Sequence, residues 1–232
     1  MSSAGTTGEH QVSWLRSNQI ALTAHLDRLR GLLEAQISDT AMSKDASEEV
    51  ASPDAADAFG DLCLLFDLSD FERDVLLLCA GAELDSRISQ LCGQLDEYGR
   101  NGTVTFELAC AVLPDAHWSA ILPTSSLREW HLIDVDSMHG SRTLVQSQLR
   151  IQERVLHHLT GLNYLDERLA ALMRECDLPD GLLPSHEDSS NRMANILADP
   201  EPSIVMITGG DVRLRRSVAA AAANQLHARL FR

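Results

Sequence analysis

Thr105-Phe-Glu-Leu-Ala-Cys-Ala-Val-Leu-Pro-Asp-Ala-His-Trp-Ser-Ala-Ile-Leu-Pro123 reads as two helices joined by a tight turn. Thr105 suits an N-cap, because its hydroxyl can accept from a free amide of the first turn. Phe106, Cys110 and Leu113 then recur at helical spacing. Pro114-Asp115 starts the second helix, which runs through Trp118, Ile121 and Leu122 and stops at Pro123. Two alternating runs follow, Trp130–Val135 and Thr143–Leu149, separated by Asp136-Ser-Met-His-Gly140. Alternation at period two around a glycine loop predicts a β-hairpin. A helix-turn-helix followed by such a hairpin is a winged-helix arrangement.

The elements before it are helical. Phe59, Leu62, Cys63 and Phe66 share one helix face. Leu62-Cys-Leu-Leu-Phe-Asp67 imitates a Walker B strand, but its spacing fits a helix, and we read it as core. Ser69-Asp-Phe-Glu72 is a capping-box signature. It starts a helix that is apolar nearly all round and is therefore central. Asp85 can cap a third helix carrying Ile88, Leu91, Cys92 and Leu95. Gly99–Gly102 reads as a turn. After the hairpin, Ile151, Val155, Leu159 and Leu162 mark one helix, and Leu165, Leu169, Leu172 and Cys176 mark another.

Residues 1–10 are expected to be disordered. Residues 11–37 carry leucines at heptad spacing, Leu15, Leu22 and Leu29, with Leu26 and Leu33 between them. They fit a docking helix or short coiled coil, and equally a helix packed on its own domain. Residues 38–56 read as a flexible acidic linker and a domain boundary. Residues 57–176 form the adaptor domain, and 177–184 are a second linker with two prolines and a glycine. Ser189 or Ser190 can cap a helix carrying Met193, Ile196 and Leu197.

Residues 185–232 read as the start of a P-loop α/β domain. Ser203–Thr208 suits a buried strand, and Ser217 to about Arg229 suits a helix rich in alanine. The turn between them departs from the phosphate-loop pattern G-x-x-x-x-G-K-[ST]. Aligned from Gly210, it has Arg215, Arg216 and Ser217 where that pattern has glycine, lysine and serine or threonine. Arginine resists the sharp backbone turn that glycine permits, and it is a planar fork rather than a point charge. The candidate nucleotide residues are Gly209, Gly210, Arg215, Arg216 and Ser217. They fit either weak ATP binding, with Mg²⁺ only alongside the nucleotide and no efficient hydrolysis, or an ordinary βα turn that holds no nucleotide. The chain ends one βα unit into what should be a larger sheet, so a fragment is expected.

Charge narrows the partners. The net charge is −15, from 19 basic and 34 acidic side chains. Residues 57–160 hold seven arginines, no lysine and sixteen acids, a net of −9. The expected recognition helix, Asp115–Leu122, has no cation to reach guanine or phosphate. DNA binding is therefore disfavoured, and a protein partner is expected. Five cysteines with no C-x-x-C pair and no leader predict reduced thiols and a cytoplasmic setting. No apolar run reaches the length of a membrane span. His157-His158 lacks the second ligand pair that a metal site needs.

Four stretches also carry a family resemblance. They are Leu65-Phe-Asp-Leu-Ser-Asp-Phe-Glu-Arg-Asp-Val-Leu-Leu-Leu-Cys-Ala-Gly-Ala-Glu-Leu-Asp85, Pro114–Ser119, Leu127–Ile133 and Leu149–Gly161. Together they resemble the N-terminal part of bacterial AAA-type ATPases with a winged-helix domain, found with phage-tail-like contractile injection systems. The resemblance spans about Phe59 to Arg232. It implies a larger protein with an AAA module, homo-oligomers through that module, and a particle component as partner. The family's phosphate loop maps onto Gly210, Arg215, Arg216 and Ser217, of which only Gly210 and Ser217 keep the expected type.

Overall fold

A computed structural model describes residues 4–37, 57–95, 102–136, 143–199, 203–209 and 211–232. Packing divides the chain into two compact units, Met1–Tyr164 and Leu165–Arg232. The division falls earlier than the expected end of the adaptor at 176, and the N-terminal helix belongs to the first unit. The expected linker 38–56 and the turn at Gly99–Asn101 lie outside the described residues.

The first unit is built around α3 (Asp70–Leu84). Ser69 caps it: its hydroxyl accepts from the Glu72 amide, while Glu72 accepts from the Ser69 amide. Val75, Leu76, Leu77 and Leu78 are four consecutive residues pointing in four directions, and all are fully buried. A helix apolar on every side must be enclosed. α1 (Ala4–Ile37) and α4 (Ser86–Leu95) pack on it, as do elements of the wing. Asp85 caps α4 by accepting from the Arg87 amide.

Leu22, Leu29 and Leu33 of α1 are buried in this same core. Of the two readings of the heptad pattern, the helix packed on its own domain is the one observed. The helix also reaches back to Ala4, so residues 4–10 are helical where disorder was expected. Extending an existing helix adds one hydrogen bond per residue without a new nucleus. Asn18, buried in α1, donates to the Leu159 carbonyl and accepts from the Ala58 amide.

α2 (Ala58–Leu65) and α5 (Phe106–Val112) are capped by Asp57 and Thr105. α6 (Ser126–Glu129) leads into β1 (Ile133–Asp136), which pairs antiparallel with β2 (Gln148–Ile151). Ile133 faces Ile151 and Val135 faces Leu149 on the inner side, while Asp134 faces Arg150 outside. Thr105 bridges to Gln148, adding a contact on the other edge of β2. The hairpin is therefore present but shorter than expected. Leu144–Gln146 form a 3₁₀ turn, and Ser147 Oγ donates to the Thr143 carbonyl. Such local bonds compete with the ladder. α7 (Glu153–Leu159) starts after Ile151, which belongs to β2. It ends at Gly161, φ +84°, where the Gly161 and Leu162 amides donate to the carbonyls of His158 and His157. That pairing is a Schellman cap. A Cβ on Gly161 would stand 2.6 Å from Leu15 of α1.

In the second unit, α8 is only Glu167–Ala170. The longer helix expected through Cys176 is not formed. Instead, Arg174 and Arg232 exchange two backbone hydrogen bonds, and the Cys176 amide donates to the Leu230 carbonyl. α9 (Pro184–Leu197) starts at Pro184 rather than at Ser189 or Ser190. Proline suits the first helical position, where no amide partner is needed. α9 packs on α10 (Val212–Gln225) through Ser190, Ala194, Val218, Ala220 and Ala222. These are mostly small side chains, which let helices approach closely.

The P-loop α/β unit is not formed. Residues 203–208 form neither helix nor strand, and the one sheet among the described residues is β1–β2. Ile204 is fully exposed, at 101 %, and Met206 at 83 %, where a buried strand was expected. A strand persists where a neighbouring strand takes up its backbone groups, and no such ladder forms here among the described residues.

Candidate functional site

The segment between α5 and β1 departs most from expectation. Pro114-Asp115 does not start an α-helix. Asp115 takes φ +53°, and His117 is extended. Trp118–Ile121 form a single 3₁₀ turn. His117 lies 3.0 Å from Ser69 Oγ and 2.6 Å from Ser119 Oγ, with its ring edge-on to Phe71 at 5.2 Å. Ser125 Oγ donates to the Ala120 carbonyl, and Arg128 to that of Ile121. These bonds satisfy the backbone of a turn, so nothing draws the chain into a longer helix. The four-residue α6 is the next helix, about 6 Å long at 1.5 Å per residue. Neither element is a helix that could lie along a major groove.

The same region exposes large apolar side chains. Leu64 and Leu65, at the end of α2, are 82 % and 77 % exposed. Trp118 is 72 % exposed and Trp130 is 59 %. Trp130 rests against Phe66, with ring centroids 5.7 Å apart. Phe66 closes α2 and Trp130 closes α6, so the patch is made of two helix ends. The reading of Leu62–Asp67 as core holds for Leu62 and Cys63 but fails for Leu64 and Leu65. The signal was present: Phe59, Leu62, Cys63 and Phe66 already complete one helix face, which leaves two leucines over.

Four of the five thiols have pKa values raised by burial. Burial pushes Cys63 and Cys92 up to about 11, and it raises Cys79 and Cys110 as well. Thiols so placed stay protonated and inert. No group of three or more His, Cys, Asp or Glu that could hold a metal occurs among the described residues.

The candidate nucleotide residues lie in the second unit. Gly210 is outside the described residues. Gly209 has φ +149° and open space around its Cα. α10 starts at Val212, five residues before the expected Ser217. Asp211 is the cause: its carboxylate accepts from the Arg213 amide. Arginine and leucine then carry the helix forward. Arg215 and Arg216 are thus helical rather than in a loop, and Arg215 donates to the Gly209 carbonyl. Ser217 is the sixth helical residue, beyond the four free amides of a helix start. A carboxylate occupies the end where a phosphate would bind. An open cleft of about 400 Å³ lies elsewhere, among Leu178, Gly181, Ser190, Asn224 and Gln225. Its charged neighbour is Glu187, which does not suit a phosphate.

A winged-helix domain whose recognition helix is reduced to a turn is the class these observations define. The family described as "Winged helix domain, variant" matches residues 10–173. The chain belongs to that family. The match includes α1, in agreement with its burial in the same core. No curated protein and no solved structure matches the chain. No helix among the described residues is long and apolar enough to cross a membrane.

Proposed function

We propose that the chain is a protein-docking adaptor and not a reader of DNA. The observation that carries this is the segment 114–130. Where a DNA-binding winged helix needs a cationic helix, this one has a 3₁₀ turn with exposed Trp118 and a short α6. Its one arginine, Arg128, donates to the Ile121 carbonyl. The net of −9 across residues 57–160 repels a phosphate backbone. The test is fluorescence anisotropy of labelled duplex DNA against the chain across a salt series. The expected result is no binding near physiological salt. Tight binding that weakens steeply with added salt overturns the reading.

The finer reading follows the sequence resemblance. In it the adaptor belongs to an AAA-type ATPase that serves assembly or remodelling of a contractile injection particle in the cytoplasm. Homo-oligomers form through its AAA module. Any contact with ATP and Mg²⁺ at Gly209, Gly210, Arg215, Arg216 and Ser217 is weak. The five free cysteines agree with a reducing compartment. Retention of the chain on purified contractile particles is the expected result, and its absence removes the particle from the reading.

A further inference from the structure

We propose that the patch of Leu64, Leu65, Trp118 and Trp130 is the docking surface for a basic amphipathic segment of a partner protein. The segment's apolar face covers the tryptophans, and its lysines or arginines meet the carboxylates around them. This deepens the adaptor reading and rests on it.

Three contacts tie these segments together. Phe66 meets Trp130 at 5.7 Å, His117 meets Ser69 at 3.0 Å, and Arg128 ties to Ile121. The ends of α2 and α6 and the 3₁₀ turn are thereby fixed beside the start of α3. Tryptophan is the side chain most often found at the centre of a binding surface, and two stand exposed here. Isolated exposed leucines need no explanation, but two exposed tryptophans and two exposed leucines on segments tied by these contacts do.

Charge decides the occupant. Asp61, Asp67, Asp115 and Glu129 are exposed in the same stretches of chain. Asp61 lies one turn before Leu64 and Leu65 on α2, and Glu129 adjoins Trp130. The nearby cations are engaged: Arg128 on the Ile121 carbonyl, Arg73 on Asp70 at 3.3 Å. The C-terminus of α2 adds partial negative charge to the same place. A second copy of this chain would set one acidic rim against another in a two-fold contact. Anionic lipid and nucleic acid meet the same repulsion. A cationic partner gains where these lose.

The backbone points the same way. Asp67 and His131 follow Phe66 and Trp130 directly and hold φ +48° and +51°. Each occupies the left-handed position of a Schellman cap, where glycine is the low-strain residue. Side chains are kept there at a conformational cost of about 1 kcal/mol. Strained positions of this kind gather at binding sites.

The test uses the 232-residue chain and three labelled peptides in fluorescence anisotropy. The first is a helical peptide with leucines at i, i+3, i+4 and i+7 and lysines elsewhere. The second replaces its lysines with glutamates, and the third scrambles it so that the apolar stripe is lost. The first is expected to bind, with affinity falling as salt rises, and the others at least about tenfold more weakly. Trp118→Ser and Leu65→Ser are each expected to weaken the first peptide about tenfold with an unchanged melting temperature. Trp130→Ala should do the same, but it also removes the Phe66 contact, so the first two variants decide. Equal binding of the scrambled peptide, or undiminished binding to both variants, overturns the proposal. Failure of the basic peptide, with duplex DNA also unbound, removes this surface and leaves the adaptor reading standing. Binding of duplex DNA removes both.

Discussion

Asn18 Nδ2 donates to the carbonyl of Leu159 at 2.9 Å across 141 residues of sequence. Its Oδ1 accepts from the Ala58 amide at 2.8 Å. Ala58 is the first residue of α2 and Leu159 the last of α7. Both groups belong to helix ends, which have no partner within their own helices. One buried amide therefore satisfies a donor of one helix and an acceptor of another from a third.

Replacing Asn18 with leucine is expected to lower stability by about 2–4 kcal/mol, since two buried backbone groups lose their partner. Urea unfolding followed by circular dichroism checks this. The loss should appear as a lower midpoint with an unchanged slope. An effect below about 0.5 kcal/mol, the range of ordinary surface changes, would mean water replaces the side chain.

That contact also marks the limit of what was legible in the sequence. The all-round apolar pattern of Phe71–Ala80 placed α3 at the centre, and the capping box of Ser69 and Glu72 is as read. The hairpin was visible because period-two alternation survives in Ile133, Val135, Leu149 and Ile151. The leucine seam of α1 was visible too, but not its destination, which depends on partners distant in sequence. The second helix of the helix-turn-helix was misread because Trp118, Ile121 and Leu122 have helical spacing. His117, held by Ser69 48 residues away, favours a 3₁₀ turn instead. No local pattern encodes that bond. The start of α10 differs from expectation for another reason. Asp211 is a strong cap, and it starts the helix before the glycine-like positions are reached.

His131 follows the Trp130 cap of α6 and lies in the left-handed region at φ +51°. Its amide and that of Leu132 donate to the carbonyls of Arg128 and Leu127. Glycine adopts this conformation without the Cβ clash, although it loses more freedom on folding. His131→Gly is expected to raise stability by about 0.5–1 kcal/mol. A melting temperature higher than that of the parent chain is the result to look for. A lower one would show that the imidazole makes contacts that outweigh its strain.

The buried thiols make stability depend on alkaline pH. Burial raises Cys63 and Cys92 from an ordinary 9.0 to about 11. Below 9 both thiols are neutral in the folded and unfolded chain, and neither contributes. Between 9 and 11 the unfolded chain releases protons that the folded one keeps, so the unfolded state is favoured. Stability is expected to be flat up to about pH 9 and to fall through pH 11. In the native state at pH 8, a disulfide reagent should leave Cys63, Cys79 and Cys92 unlabelled and modify them only on unfolding. Rapid native labelling of all three would show that this core opens readily.

The C-terminal unit should be indifferent to nucleotide. A bound ligand raises the melting temperature in proportion to its occupancy. ATP with Mg²⁺ is therefore a direct probe of the first turn of α10. That turn already has the Asp211 carboxylate on the Arg213 amide, and Arg215 donates to the Gly209 carbonyl. A phosphate would have to displace a carboxylate and accept repulsion from it. No thermal shift is expected for the wild-type chain at millimolar nucleotide. The informative variant is Asp211→Asn, which keeps a cap and removes the charge. If the carboxylate is what excludes phosphate, this variant alone should gain a nucleotide-dependent shift, and Ser217→Ala should leave both chains unchanged. A shift in the wild-type chain that Ser217→Ala abolishes would mean that the helix start rearranges around the nucleotide.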